Sequence, residues 1–454
     1  MRTVDVAVVG AGPAGLSAAA VTGAAGLTTL LIDEQPAPGG QIWRAAEAAA
    51  ADPARAALAA GYAGAAATIA AARRHATLAA GAEVVDISSD REILWFDKAA
   101  RRLRQTRARV LLVATGAMER PVPFPGWTLP GVSGVGALQI ALKQGGMVPD
   151  GPVVLAGQGP LVLLVARQLA AFGVEIAATL DFAPALPSRA ALARLPAALA
   201  DDAGLLANGA ALAVRRFLSG TAYRDISHLE ALGGERLEAV RFRAAGQIHT
   251  LPAGRLAVHD GVIPNTQLTR LLGLPHRWDD AQAAFAAEVD AAGRTPHEGV
   301  FVAGDGAGIG GAALAARQGE AAAHAICDAL GVATGPTASI DGRRARHFVD
   351  TLYAPRPVSA FATDDTVLCR CEAVTYGAVR RAVELGATGP NRVKTATRCG
   401  MGPCQGRICG ANLTRLLAAE TGRAPGEVGA LRIRPPLKPL LLSDYAALAT
   451  ADGT

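Results

Sequence analysis

The stretch VDVAVVGAGPAGLSAAAVTGAAGLTTLLIDE, residues 4–34, decides the fold of this chain. It opens with an apolar run rich in valine, turns at the glycines of GAGPAG, continues as an alanine-rich segment and ends in a second apolar run, Leu27–Ile32. Short apolar runs bounded by a glycine turn indicate buried strands, and alanine favours a helix between them. The stretch therefore predicts a β–turn–α–β unit of an α/β fold.

Each glycine of the turn has a separate physical reason. Gly10 permits the tight turn, Gly12 leaves no Cβ in the path of a pyrophosphate, and Gly15 lets the helix pack close to the strand. The helix N-terminus then faces the phosphate charge. The turn predicts a dinucleotide site made by Gly10, Ala11, Gly12, Pro13, Ala14 and Gly15.

Two acidic residues follow at the end of the second apolar run. Asp33 lies 18 residues after Gly15, and Glu34 comes next. A carboxylate at this position of the fold accepts hydrogen bonds from ribose hydroxyls, so one of the two should bind the ribose, and we favour Asp33.

Later segments repeat the pattern of an apolar run that ends in a turn. Ala114-Thr115-Gly116 follows one run and Val302-Ala303-Gly304-Asp305 another. They resemble the later signatures of flavoproteins that contain two dinucleotide-binding domains, and Gly39-Gly40-Gln41 resembles a loop that contacts the flavin in that family. In the family the Asp-bearing segment reaches the ribityl chain or phosphate of FAD. The resemblance adds these residues to the predicted site: Gly40, Gln41, Ala114, Thr115, Gly116, Gly304 and Asp305.

A second glycine turn, GQGPLV at Gly157–Val162, departs from the pattern because valine replaces the third glycine. The strand after it ends at Asp181, which could serve a ribose. This segment either binds a nicotinamide nucleotide or keeps the fold without its ligand. No cysteine precedes Ile326, so a redox-active C-x-x-C beside the flavin is excluded.

Five of the six cysteines lie together near the C-terminus, at Cys369, Cys371, Cys399, Cys404 and Cys409. In a chain without a secretion signal such a cluster favours a metal centre over disulfides, and thiolates bind iron and zinc alike. Cys327 lies on an alanine-rich helix and is interpreted as a core residue.

The cysteine segment resembles bacterioferritin-associated-ferredoxin-like [2Fe–2S] domains, although those close with C-x-x-C and this one with C-x4-C. The whole chain resembles a narrower group, the larger subunits of octopine and nopaline oxidases, hydrogen cyanide synthase, D-hydroxyproline dehydrogenase and dye-linked proline dehydrogenase. The resemblance is carried by CRCE, KTATR, GMGPCQGRICG, DEQP, GGQI, ERPVPFPGW and the tail RPPLKP. Because the position of Cys399 is often not cysteine in that group, the resemblance assigns the cluster to Cys369, Cys371, Cys404 and Cys409; zinc stays the alternative.

In that group the amine-oxidising FAD belongs to a smaller partner protein, and an FMN often lies between the two subunits. The resemblance therefore implies an electron-transferring subunit of an amine, opine or imino-acid dehydrogenase that binds FAD and a [2Fe–2S] cluster. One rival is a self-contained NAD(P)H-dependent reductase, and another is an iron–sulfur assembly or regulatory subunit. We find no catalytic base or triad; His259-Asp260 is interpreted as a structural pair. Relatives vary in whether the first site holds FAD or another adenine nucleotide.

The domain organisation follows from these segments. An FAD domain is predicted at 1–150 and 255–333, a second dinucleotide-binding-like domain at 151–254, a linker at 334–365, the [2Fe–2S] domain at 366–430 and a proline-containing tail at 431–454, extended on the surface and suited to docking on a partner. No apolar run is long enough for a transmembrane helix, and no signal peptide is recognised, so the cytoplasm is predicted. The net charge of +5 without a basic-aromatic block does not favour nucleic acid.

Overall fold

A computed structural model describes residues 2–451 apart from 53–54, 56–57, 59–61, 63, 185, 219–220, 336–339 and 341. The opening unit forms as predicted: Arg2–Val9 pairs in parallel with Thr29–Asp33 on one side and with Arg102–Val113 on the other. Seven of the described strands make this first sheet. In order they are Thr77–Ala80, Thr29–Asp33, Arg2–Val9, Arg102–Val113, Glu92–Asp97 and Ala82–Ile87, with Val300–Val302 added beside Arg102–Val113.

Both faces of the first sheet are covered where its central strands end, which is why Val6–Val9 and Val110–Val113 are apolar and buried without alternation. Helix Pro13–Ala24 packs on the sheet and against helix Ala312–Ala329. Gly319 makes this approach possible, because a Cβ there would lie 2.1 Å from the carbonyl oxygen of Ala14. The α/β fold class is confirmed.

The second sheet has five described strands, all parallel, in the order Ala222–Tyr223, Ile176–Asp181, Val153–Gln158, Arg255–Asp260 and Val132–Gly134. It therefore extends beyond the predicted range 151–254 at both ends. An apolar run such as Arg255–Asp260 has the same pattern in either sheet, since strand partners are set by contacts distant in sequence.

Short antiparallel strands connect the two sheets or lie outside them. Residues 226–252 alternate between buried and exposed positions and form a three-stranded sheet, Ile226–Leu232, Ala239–Ala244 and Gln247–Pro252. Ala117–Glu119 pairs with Val262–Pro264 where the chain crosses between the two domains. Two further hairpins pair His276–Asp279 with Ala284–Ala287 and Val367–Cys369 with Val374–Thr375.

The described helices are Pro13–Ala24, Ala46–Ala51, Ala65–His75, Val135–Gly145, Pro160–Ala171, Arg189–Leu218 (broken at Asp202), Gln267–Leu271, the 3-10 turn Gly304–Ala307, Ala312–Ala329, Arg343–Leu352, Tyr376–Glu384, Pro390–Thr397, Gly410–Thr421, Pro425–Val428 and Leu442–Ala451. None of them is both long and apolar enough to span a bilayer.

Two C-terminal segments differ from their predictions. The predicted linker contains helix Arg343–Leu352, which packs against Arg189–Leu218; its residues 336–339 and 341 lie outside the described part of the chain. The tail is extended up to Leu441, as its prolines predict. However, Ile433 and Leu437 are buried in the core beneath the first sheet, so this part of the tail packs on its own chain.

Candidate functional site

In the turn Gly10–Gly15, two glycines are required for packing and one borders the space where a ligand would bind. Gly10 has φ +108°, and a Cβ there would lie 2.3 Å from the carbonyl oxygen of Ala114; at Gly15 it would lie 1.8 Å from that of Gly10. At Gly12 the backbone is extended and a Cβ would meet only the Cα of Gly40, at 3.9 Å. Gly12 thus borders open space rather than protein.

That open space is part of a cavity of about 800 Å³ that runs between the two sheets. Its lining includes all the predicted cofactor residues except two. They are Gly10, Gly12, Pro13, Ala14, Asp33, Glu34, Gly40, Gln41, Ala114, Thr115, Gly116, Gly304 and Asp305. Ala11 and Gly15 lie beneath the turn instead and shape it. A backbone cradle without side chains at a helix N-terminus fits a dinucleotide pyrophosphate.

The carboxylate of Asp33 holds the turn in place. Its Oδ2 accepts from the amide of Ala11 at 2.5 Å, and its Oδ1 accepts from the amide of Gln35 at 2.8 Å. The pKa of Asp33 is raised, because the effect of burial outweighs that of these two hydrogen bonds, which lower it. The neighbouring carboxylate of Glu34 is paired with Lys438 of the RPPLKP tail, which the sequence did not place at the cofactor site.

Asp305 has a similar supporting role at the opposite wall. Its Oδ1 accepts from the amides of Gly310 and Gly311 at 2.8 and 2.9 Å, which anchors the start of helix Ala312–Ala329 beside the cavity.

Half-buried Glu119 and buried His259 form a pair in the cavity wall between the domains. His259 Nδ1 lies 2.6 Å from Glu119 Oε1, and both carboxylate oxygens also accept from the amide of Gly136 at 3.0 Å. The predicted pair of His259 with Asp260 is not formed. Asp260 accepts instead from Gln158 and from the amide of Arg356, since adjacent residues of a strand point to opposite faces.

Two cations line the cavity near the loop that follows the first unit. Lys143 donates to the carbonyl of Ile42 at 3.0 Å, and Arg44 donates to Gln35, Gln41 and Gln144. Burial, with the charge of Arg44, lowers the pKa of Lys143 to about 8.

The second glycine turn is covered by the predicted linker. Gln158 donates to the carbonyl of Ala354 at 2.9 Å, and a Cβ on Gly159 would lie 3.9 Å from the Tyr353 ring. Burial raises the pKa of Tyr353, and the charge of Asp181 adds to the shift. Tyr353 therefore lies beside the glycine turn that would bind a nucleotide's pyrophosphate.

The five clustered thiols divide into three and two. The sulfurs of Cys369, Cys399 and Cys409 all lie within 4.8 Å of one another and are buried. Cys371, which is exposed, makes its sulfur contact with Cys404. The four predicted ligands come from both groups of thiols. Cys399 is not one of them, yet its sulfur lies beside those of the predicted ligands Cys369 and Cys409.

Thiol hydrogen bonds set the charge in the buried group. Hydrogen bonds from Cys399 and Cys409 lower the pKa of Cys369 well below its ordinary value. The pKa of Cys399 rises to about 12, chiefly because it donates to Cys369, and that of Cys409 rises for the same reason. Three cysteine sulfurs gathered this closely are a donor set suited to iron or zinc. Cys327 is fully buried in the core, as expected.

The loop that carries Cys404 and Cys409 also reaches the cavity. Arg407 and Ile408 line it, and Gln267, another lining residue, donates to the carbonyl of Gln405 at 3.3 Å. One loop thus borders both the dinucleotide cavity and the thiols. In the sequence, Arg407 and Ile408 could have been noticed only because they lie between the predicted cluster ligands Cys404 and Cys409.

Hydrogen bonds from both sides hold the cysteine domain against the rest of the chain. Trp127 donates to the carbonyl of Val367 at 2.7 Å, and Asn412 donates to that of Pro121 at 2.9 Å. Arg120, fully buried, donates to the carbonyls of Asp260, Gln282 and Ala283 nearby.

Comparison with known protein families gives two matches. Residues 4–326 match the pyridine nucleotide-disulphide oxidoreductase family, and residues 367–419 match the BFD-like [2Fe-2S] binding domain.

Individual proteins match over nearly the whole chain. The A subunit of opine oxidase from Rhizobium meliloti (strain 1021) is 40% identical over 98% of both chains. The HcnB subunit of hydrogen cyanide synthase from Pseudomonas aeruginosa is 34% identical, again over 98% of both. Among solved structures, L-proline dehydrogenase from P. horikoshii is similar in fold, with a TM-score of 0.71 at 18% identity, covering 97% of this chain and 79% of that one.

Proposed function

The chain belongs to the pyridine nucleotide-disulphide oxidoreductase family and continues into a BFD-like [2Fe-2S] domain, and from this premise we propose that it is the electron-transferring subunit of a heteromeric dehydrogenase. It is an oxidoreductase that binds FAD and a [2Fe–2S] cluster. The proposed partner is a smaller FAD-containing protein that oxidises the C–N bond of an amine, opine or imino acid to an imine. The opine oxidase relative, at 40% identity, supports this class of substrate.

One observation carries the proposal: the cavity and the thiols share the loop Cys404–Cys409. Arg407 and Ile408 form cavity wall while the cysteines on either side of them are proposed ligands. FAD supplies two-electron chemistry and the cluster carries single electrons. Gly12 and Pro13 would cradle the pyrophosphate, and Cys369, Cys371, Cys404 and Cys409 would hold the cluster. The FMN that the resemblance implies at a subunit interface stays a prediction, as does the cytoplasmic location.

The cavity's own residues do not support disulfide chemistry. No cysteine is found among its described lining residues, and none precedes Cys327 in sequence. Five of the six cysteines are gathered in one domain, where they suit a cluster.

The rival of a self-contained NAD(P)H-dependent reductase is disfavoured by Tyr353. Its ring covers Gly159, and its hydroxyl is close enough to Asp181 for the charges to interact. The segment that carries it is also held by Gln158. A nicotinamide nucleotide at the second turn would meet the Tyr353 segment there, so electrons are proposed to enter from the partner.

The test is reconstitution. The isolated chain, loaded with FAD and cluster, should neither oxidise opines or amines with an artificial acceptor nor bleach on addition of NADH. Adding a smaller amine-oxidising flavoprotein, to be sought first in the neighbouring reading frame, should give substrate-dependent reduction of the cluster, followed by its EPR signal.

Three outcomes would contradict the proposal. Turnover by the chain alone at the rate of the complex would defeat the relay, and rapid bleaching by NADH would favour the reductase. Failure of either centre to be reduced at accessible potentials would favour the regulatory role.

A further inference from the structure

We propose that Lys438, carried by the C-terminal tail, is a binding residue for the adenosine half of FAD and that the tail closes this end of the cavity. The sequence predicts the tail only as a docking segment for another protein. The inference concerns nucleotide binding alone, so it stands or fails independently of the proposed electron transfer.

The tail is fixed to the FAD domain by apolar burial and one backbone hydrogen bond. Ile433 and Leu437 are each 8% exposed and pack in the same core as Val4 and Ile32. The amide of Leu437 donates to the carbonyl of Val85 at 2.8 Å. The backbone is thus secured immediately before Lys438, which limits where its side chain can go.

Lys438 points to the acidic end of the cavity. Its ammonium is paired with the carboxylate of Glu34 and lies 3.8 Å from Glu83 Oε1. Leu437 and Lys438 both line the cavity, together with Asp33 and Glu34. Since carboxylates at the end of the second strand are the ribose-binding position of this fold, Lys438 stands at the adenosine end.

The chemistry of an ammonium suits this position. Lysine offers three N–H donors, and the carboxylates of Glu34 and Glu83 engage two of them at most. A remaining donor can reach acceptors of the nucleotide, namely ribose oxygens or adenine nitrogens. Its charge also balances Asp33 and Glu34, which otherwise bring two carboxylates together. Burial lowers the pKa of Lys438, and the charge of Asp33, which lines the same cavity, opposes that shift.

Lys98 provides a matched control because it touches the same acids from outside. Its ammonium lies 2.7 Å from Glu83 Oε1 and donates to the carbonyl of Glu34 at 3.2 Å, yet Lys98 is not among the residues that line the cavity. Removing Lys98 changes the local charge by the same amount as removing Lys438. It should leave the nucleotide untouched.

The experiment measures nucleotide binding to the full chain. FAD is removed, and ADP and FAD are titrated into wild type, Lys438→Ala, Lys438→Arg and Lys98→Ala by calorimetry; FAD release is followed by flavin fluorescence. Lys438→Ala should weaken ADP and FAD alike by about tenfold and speed FAD release. Lys438→Arg should recover most of the affinity, and Lys98→Ala should stay within about twofold of wild type.

A purely structural salt link predicts a different pattern. In that case Lys438→Ala would lower Tm while the affinity for ADP and the rate of FAD release stayed unchanged, and the proposal would be overturned. Equal losses of ADP affinity in Lys438→Ala and Lys98→Ala would also overturn it, since they would indicate a general charge effect. If Lys438→Ala does not fold, Lys438→Met, which keeps the aliphatic stem, is measured in its place.

Discussion

At the residue scale, the three glycines of the first turn look alike in sequence but differ in what surrounds them. Gly10 and Gly15 are enclosed by backbone carbonyls, so a side chain at either would force the turn apart. Gly12 faces the cavity, and only the bound nucleotide would meet a side chain there. The sequence predicts the motif. The atoms around each Cα show which glycines are needed for folding and which one is needed for binding.

Gly12→Val should give a folded protein without FAD. The branched side chain has room in the protein but occupies the proposed pyrophosphate path. Circular dichroism should match wild type while the visible flavin absorbance disappears. Gly254→Val, where a Cβ meets nothing within 4 Å and which does not line the cavity, should keep its flavin. A Gly12→Val protein that purifies with full flavin would contradict the placement of the site.

The thiols show the opposite situation, because the sequence supplies more candidates than a cluster needs. Serine at Cys369, Cys371, Cys404 or Cys409 should remove or strongly alter the [2Fe–2S] visible and EPR signals, since each variant removes one thiolate ligand. Serine at Cys399 should leave them nearly unchanged.

Cys399 is the sensitive comparison, as its sulfur lies beside those of Cys369 and Cys409. If the cluster survives Cys371→Ser or Cys409→Ser but is lost in Cys399→Ser, then Cys399 is a ligand in place of the cysteine that could be replaced. Metal analysis after anaerobic purification checks the element, and stoichiometric zinc without iron would overturn the redox role.

At the element scale, strands were easier to predict than their partners. The apolar runs before Gly10, Thr115 and Gly304 are strands of one sheet, as their shared pattern indicates. Arg255–Asp260 has the same character and joins the other sheet. Hydrophobic patterning identifies a buried strand, but register and neighbours depend on packing over long chain distances.

The hairpin that begins at His276 should make stability depend on pH. Burial lowers the pKa of His276 to about 4 from its ordinary value of 6.5. The folded chain keeps this imidazole neutral, while the unfolded chain binds a proton below pH 6.5. The contribution of His276 to the free energy of unfolding is therefore full above pH 6.5 and falls as the pH drops from 6.5 to 4. The loss across that window is about 3 kcal/mol.

His276→Asn isolates this effect in urea unfolding. The wild type should lose more stability than the variant between pH 6.5 and pH 4.5, because only the wild type has this titrating group. Parallel losses in both proteins would show that His276 is not buried as neutral imidazole.

At the scale of the whole molecule, charge is unevenly distributed. Residues 366–430 contain nine Lys and Arg against four Asp and Glu, so this domain alone carries the net +5 of the chain. Cys371 is exposed on it, next to exposed Arg370. An electropositive surface beside a redox centre attracts anionic electron acceptors.

Oxidation of the reduced chain by ferricyanide should therefore slow when the ionic strength is raised from about 10 mM to about 200 mM, because salt screens the attraction. Oxidation by hexaammineruthenium(III), a cation, should show the reverse trend. Arg370→Glu should flatten the salt dependence with ferricyanide, and Arg255→Glu, on the second sheet, should not. Stopped-flow absorbance at the cluster band measures both, and identical salt trends for the two acceptors would exclude steering.

The sequence by itself predicted the fold class, a dinucleotide site and a metal centre, and its resemblance to known families specified these as FAD and a [2Fe–2S] cluster. It could do so because a glycine turn for a pyrophosphate and clustered thiols for iron are constraints expressed within short segments. The tertiary structure decided what depends on segments distant in sequence: Tyr353 over the second turn, Arg407 and Ile408 in the wall of the cavity, and Lys438 beside Glu34. These positions follow from how whole domains and the tail pack, and no local pattern around those residues encodes the neighbours that packing brings to them.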